Sequence, residues 1–147
     1  MSLKLTFAPL SDVGRERSEH QDAYGSQHLD GLDFYIVCDG MGGHRGGSTA
    51  SRLGVATIEA KLAELTELPP TERMVAAMSA ANEVIFNKAQ KDRDLHGMGT
   101  TAVVLAVDHE AGHAYYAHVG DSRLYLVRED TVRQLTRDHT FVQRLVD

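Results

Sequence analysis

The sequence predicts an α+β fold, and three observations carry that reading. Two successive stretches place apolar residues three and four positions apart: Val55, Ile58, Leu62 and Leu65, then Met74, Met78, Ala81, Ile85 and Ala89. Short apolar and β-branched runs lie on both sides of this helical centre. The later runs are separated only by turn residues, which gives an antiparallel meander, not βαβ units.

Residues 3–8 read as a first strand, and residues 12–24 as a polar, irregular segment. Phe34, Tyr35, Ile36, Val37 and Cys38 form a compact strand that ends at Asp39. Five glycines in the eight positions 40–47 predict a loop. A helix follows over about residues 48–65, broken by Pro69 and Pro70, with Thr71 the expected N-cap of a second helix. Residues 100–108, 113–119, 123–127 and 131–135 read as strands, with turns at Glu110-Ala111-Gly112 and Arg128-Glu129-Asp130. Residues 139–146 are expected to start another helix.

With 147 residues, 42% apolar and 24% charged, the chain has the composition of one packed domain. A net charge of −6 disfavours nonspecific contact with nucleic acid or anionic lipid. A single cysteine, Cys38, excludes an internal disulfide and fits a reducing compartment. The first residues carry no signal-peptide core, and no apolar run reaches the roughly 20 residues that cross a bilayer. A cytoplasmic location without membrane insertion is expected.

Asp39 is the sharpest chemical feature. A carboxylate at a strand end, next to glycines, offers oxygen ligands of the kind Mg²⁺ and Mn²⁺ prefer, and the Gly40 carbonyl is a further donor. The same residues would serve equally as an ordinary glycine-rich turn. Asp22, with Arg17 five residues before it, is a second candidate, Arg17 being able to grip phosphate oxygens; a solvated charged loop explains them as well. Turn chemistry accounts for Gly120-Asp121-Ser122, and Asp138 before His139 resembles a helix N-cap. No Gly-Lys-Ser/Thr phosphate loop is present, and Gly97-Met98-Gly99 follows a helix and precedes a strand, the reverse of a dinucleotide site. The eight histidines form no His-Glu-x-x-His, and Ser48 is in no Gly-x-Ser-x-Gly elbow.

Together, four collinear blocks resemble the metal-dependent protein phosphatase family (PPM, the phosphatase 2C type) in its bacterial form. They are Gly14-x-x-Arg17 leading to Gln21-Asp22-Ala23, then Asp39-Gly40-Met41-Gly42-Gly43-His44, then Gly97-Met98-Gly99-Thr100-Thr101, and last Gly120-Asp121-Ser122-Arg123 with Leu135-Thr136-Arg137-Asp138-His139. The resemblance implies a sandwich of two antiparallel sheets flanked by helices. It also implies hydrolysis of phosphoserine and phosphothreonine by water activated on two Mn²⁺ or Mg²⁺ ions, with a third, weaker site for another. In that scheme Asp39 bridges the metals, the Gly40 carbonyl binds one, Asp22 orients water, Arg17 holds phosphoryl oxygens and Asp121 helps to bind the third ion. His44 is the nearest histidine for protonating the leaving oxygen.

Two departures stand out. Gln21 replaces a common acidic residue, leaving a neutral carbonyl to accept a hydrogen bond from water. The family's later Ser-Asp-Gly and Asp-Asn motifs are not found in these 147 residues. The chain is therefore expected to be the N-terminal portion of one phosphatase domain, truncated before the C-terminal strands, with open sheet edges prone to self-association. Expected partners are phosphorylated proteins that are targets of a cognate serine/threonine kinase. The alternative reading is a non-catalytic module that uses the same scaffold to grip phosphorylated partners.

Overall fold

A computed structural model describes residues 4–140 and residue 143, apart from the side chain of His44. The first paired elements are β1 (Asp22–Leu29) and β2 (Leu32–Met41). Asp30 and Gly31 join them, both in the left-handed region with φ of 54° and 78°. An Asp-Gly pair suits this tight hairpin, and its turn sets a register that runs from Leu29 opposite Leu32 to Asp22 opposite Asp39.

Two long helices follow, α1 (Gly43–Glu64) and α2 (Pro70–Lys91), then a 3₁₀ turn at Arg93–Leu95. The chain returns as β3 (Gly99–Thr100), β4 (Ala102–Asp108), β5 (His113–Val119), β6 (Tyr125–Arg128) and β7 (Thr131–Gln134). The larger sheet has the order β1-β2-β4-β5, with β3 pairing the end of β2, and β6-β7 form a second sheet. All pairings are antiparallel, so the α+β class holds.

Strand periodicity divides β2 into two faces. Phe34, Ile36 and Cys38 are fully buried beneath the helices. They pack with Val55, Ile58 and Leu62 of α1, Met74, Ala77 and Ala81 of α2, and Ala102, Val104 and Ala106 of β4. Burial pushes the Cys38 thiol up to about 12, so this cysteine is an inert core group. Arg73 is buried among them: its Nε donates to the Leu62 carbonyl at 2.7 Å, and its guanidinium lies 5.3 Å from the centre of the Phe34 ring. The opposite face of β2, with Asp33, Tyr35, Val37 and Asp39, is half-buried to exposed and carries no helix among the described residues.

Several expectations are corrected. Residues 4–8 form no strand; Phe7 instead packs on Tyr35 with ring centres 5.0 Å apart, and Pro9 has no N–H to donate to a strand ladder. Residues 22–24, expected to be irregular, belong to β1. The glycine-rich segment is not a loop, because β2 continues to Met41 and α1 begins at Gly43, leaving Gly42 with φ 129° as the hinge. Thr71 does not cap α2; Pro70 is its first residue and no side chain caps it. The expected strand at 123–127 starts two residues later, at Tyr125. Asp138 is no helix cap: it holds Arg123 through bonds of 3.0 and 2.7 Å. The helix expected over 139–146 falls largely outside the described residues. Among the described residues, no helix is long and apolar enough to cross a membrane.

Candidate active site

The hairpin register places Asp22 and Asp39 directly opposite each other at the open end of β1 and β2. Both are exposed, on the face away from the helices. Their carboxyls are close enough to share a hydrogen bond. The Asp39 carboxyl is held above the usual carboxylate range, first by partial burial and then by the neighbouring Asp22, with Asp121 adding to the effect and Arg17 opposing it. So Arg17, Asp22, Asp39 and Asp121, scattered over more than a hundred positions of sequence, are electrostatic neighbours.

Arg17 and the strand end at Asp39 and Gly40 are held by their local surroundings. Arg17 donates to Gln21 Oε1 at 2.9 Å, and Gln21 Nε2 donates to the Gly43 carbonyl at 3.3 Å. Gln21 therefore ties the Arg17 segment to the start of α1, and its carbonyl, expected to serve water, serves Arg17. Gly40 N donates to the Gln21 carbonyl at 2.8 Å. A Cβ at Gly40 would stand 1.8 Å from the Gly47 carbonyl oxygen, and one at Gly47 2.9 Å from the Gln21 side chain. These glycines let strand, helix and loop backbones converge at the acidic pair.

Thr101 stands in the third sequence block, where it was given no role. Its hydroxyl accepts from Asp39 N at 3.0 Å and bonds Ser122 Oγ at 2.6 Å, while its own N–H donates to the Asp39 carbonyl at 2.9 Å. It thereby couples Asp39 to the turn that carries Asp121. Gly120 in that turn has φ 98°, and a Cβ there would meet Thr101 Cγ2 at 2.6 Å. The signal lay in Thr100-Thr101 at the head of a strand, after two glycines, but its partners come from distant segments. His139 closes the turn from the other side, accepting from Gly120 N through Nδ1 at 3.1 Å. His44 stands in the first turn of α1, and its side chain lies outside the described residues.

A run of oxygen donors with two opposed carboxylates suits a hard divalent cation, which would relieve their repulsion. The model of the family described as protein phosphatase 2C matches residues 14–143, a span containing every candidate residue. The chain belongs to the protein phosphatase 2C family. Among its relatives, the phosphatase PhpP of Streptococcus pneumoniae is 39% identical over 93% of this chain and 56% of its own length. The serine/threonine protein phosphatase PstP of Mycobacterium tuberculosis is 37% identical over the whole of this chain but only 27% of its own length. A crystal structure of the catalytic domain of PstP in complex with two manganese ions superposes with a TM-score of 0.72 at 37% identity, over 93% of this chain and 57% of that one. This phosphatase 2C chain thus spans between about a quarter and somewhat over half the length of these relatives.

Proposed function

We propose that the protein is a metal-dependent phosphatase acting on phosphoserine and phosphothreonine in other proteins, probed most directly at the Asp22–Asp39 pair. The observation that carries the reading is the convergence of two opposed carboxylates, a third aspartate and an arginine on one exposed sheet end. The names of PhpP and PstP, and the two manganese ions of the PstP structure, support the same chemistry. Nothing among these relatives favours a non-catalytic module.

The residues present fit Mn²⁺ or Mg²⁺, with Asp39 and the Gly40 carbonyl as direct ligands and Asp22 and Asp121 as further acidic donors. Ions held there would supply Lewis acidity toward the phosphoryl group and a stronger nucleophile from water. The chain itself does the rest. Asp22 and Asp39 would supply the negative charge to hold such ions. Arg17, positioned by Gln21, offers a fork to two phosphoryl oxygens. His44 is assigned the proton delivered to the leaving serine or threonine oxygen. Phosphorylated substrates of a cognate serine/threonine kinase, in the cytoplasm, complete the proposal.

Hydrolysis of a phosphothreonine peptide by the 147-residue chain, with and without Mn²⁺, tests this reading. Turnover that needs Mn²⁺ and is lost in Asp39→Asn is the expected result. If the chain alone is silent, the same pair of measurements on a longer chain decides, and Asp39→Asn with wild-type turnover there would refute the assignment.

A further inference from the structure

The face of β2 that carries Asp39 also carries Asp33, about 20 Å away at the other end of the strand by the usual rise per residue. Asp33 stands opposite His28 in the β1–β2 register. His109 lies just past the end of β4, whose last residue, Asp108, pairs with Leu32. Three adjacent segments therefore deliver two imidazoles and one carboxylate to one point. His28 Nδ1 is 2.5 Å from Asp33 Oδ1, and His109 Nε2 is 2.6 Å from Asp33 Oδ2. All three ligand atoms lie within 4.8 Å of one another, which among the described residues holds for no other such set of three. The two rings meet near edge-on, 6.0 Å between centres.

We propose that His28, Asp33 and His109 bind a borderline divalent ion, of which Zn²⁺ is the representative, at a site separate from and independent of the Asp22–Asp39 pair. The donor set decides the class of ion. Imidazole nitrogen with carboxylate oxygen suits Zn²⁺, Ni²⁺ and Cu²⁺, whereas all-oxygen donors suit Mg²⁺ and Mn²⁺. The carboxylate is recessed and the outer imidazole accessible: side-chain exposure is 19% for Asp33, 22% for His109 and 65% for His28. An ion can therefore enter past His28 and meet a carboxylate already in place.

The adjustment needed is small. Ligand atoms of a tetrahedral zinc centre with bonds of about 2.0–2.1 Å stand roughly 3.3 Å apart. The two histidine–carboxylate separations are shorter than this, so the ion would take the place of the direct contacts, and the accessible His28 ring has room to swing. Three protein ligands leave a coordination position for water or an incoming group. The bound ion would clip the β1–β2 hairpin to the β4–β5 turn, a turn already closed by Asp108 Oδ1 accepting from Glu110 N at 3.0 Å and Ala111 N at 2.9 Å.

The test is calorimetric titration of the 147-residue chain with Zn²⁺, in an Asp22→Asn/Asp39→Asn background that silences the other acidic pair. One ion per chain is expected, with affinity falling on the order of 10- to 100-fold in His28→Ala and in His109→Ala. Proton–nitrogen spectra should show the rings of His28 and His109 shifting on addition of Zn²⁺ and not of Mg²⁺. Asp33→Asn is the third variant; should it fail to fold, the exposed His28→Ala carries the test alone. Zinc affinity unchanged in both histidine variants, or zinc scattered over the other histidines, would overturn the proposal.

Discussion

Asp39 is held by Thr101 as well as by its pairing with β1. The threonine receives the Asp39 N–H, gives its own N–H to the Asp39 carbonyl, and bonds the neighbour of Asp121. A valine would keep the shape and lose both hydroxyl bonds. Thr101→Val should weaken Mn²⁺ binding by about tenfold, the scale typical of residues that orient metal ligands. It should leave the circular dichroism spectrum unchanged; titration calorimetry with Mn²⁺ measures the loss, and equal affinity would remove Thr101 from its positioning role. At this scale the acidic candidates were legible only through four collinear blocks taken together, since each alone reads as an ordinary turn or solvated loop. Thr101 was not, because its function exists only where three distant segments meet.

Elements were legible where their inner faces are apolar, and hidden where those faces are small. The β2 core and both helices announce themselves through Phe34, Ile36, Met74 and Ile85. β1 does not, because its inward positions read Ala23, Gly25 and Gln27 before the single large apolar residue, Leu29. The reason is steric: a Cβ at Gly25 would stand 2.8 Å from Val55 Cγ1 and 2.0 Å from Glu59 Oε1, so α1 has taken the space that a larger residue would fill. The glycines at the start of α1 misled in the same way, since they signal close approach and not a loop. Asp30-Gly31 was the overlooked hairpin signal. The β5 element carries a titratable weak point. His118 stacks on His139 at 4.6 Å, and its buried Nδ1 has no hydrogen-bond partner among the described residues. Burial, then the charge of His139, holds the His118 imidazole below its ordinary range, against the pull of Asp138. The unfolded chain therefore takes up this proton first as pH falls through about 6.5, and stability drops with it. Urea unfolding on either side of that pH should show the loss, and His118→Gln should flatten it; a slope equal in both proteins would mean that another group sets it.

At the scale of the whole molecule, one face of the larger sheet is sealed by α1 and α2 while the other keeps apolar groups in water. Tyr24 and Val37 are each 49% exposed on it, and Phe7 46%. The sheet path ends at β1 and at β5, whose outer backbones have no strand partner among the described residues. Edges and faces of this kind pair with another strand when one is offered. A second copy of the chain is always available, and β1 offers few charges to prevent it. Self-association should therefore rise with protein concentration, visible as a mass-weighted shift in sedimentation velocity. Tyr24→Lys places a charge on the exposed side of that edge, a substitution edge strands use to stay single. It should lower the association without disturbing Asp22 and Asp39 two or more residues away along the paired strands. A single species of monomer mass at every concentration would show that the sheet tolerates its open face unaided. Association equal in wild type and Tyr24→Lys would instead move the contact to β5 or to the β6-β7 sheet, where Val127 and Val132 are each 68% exposed.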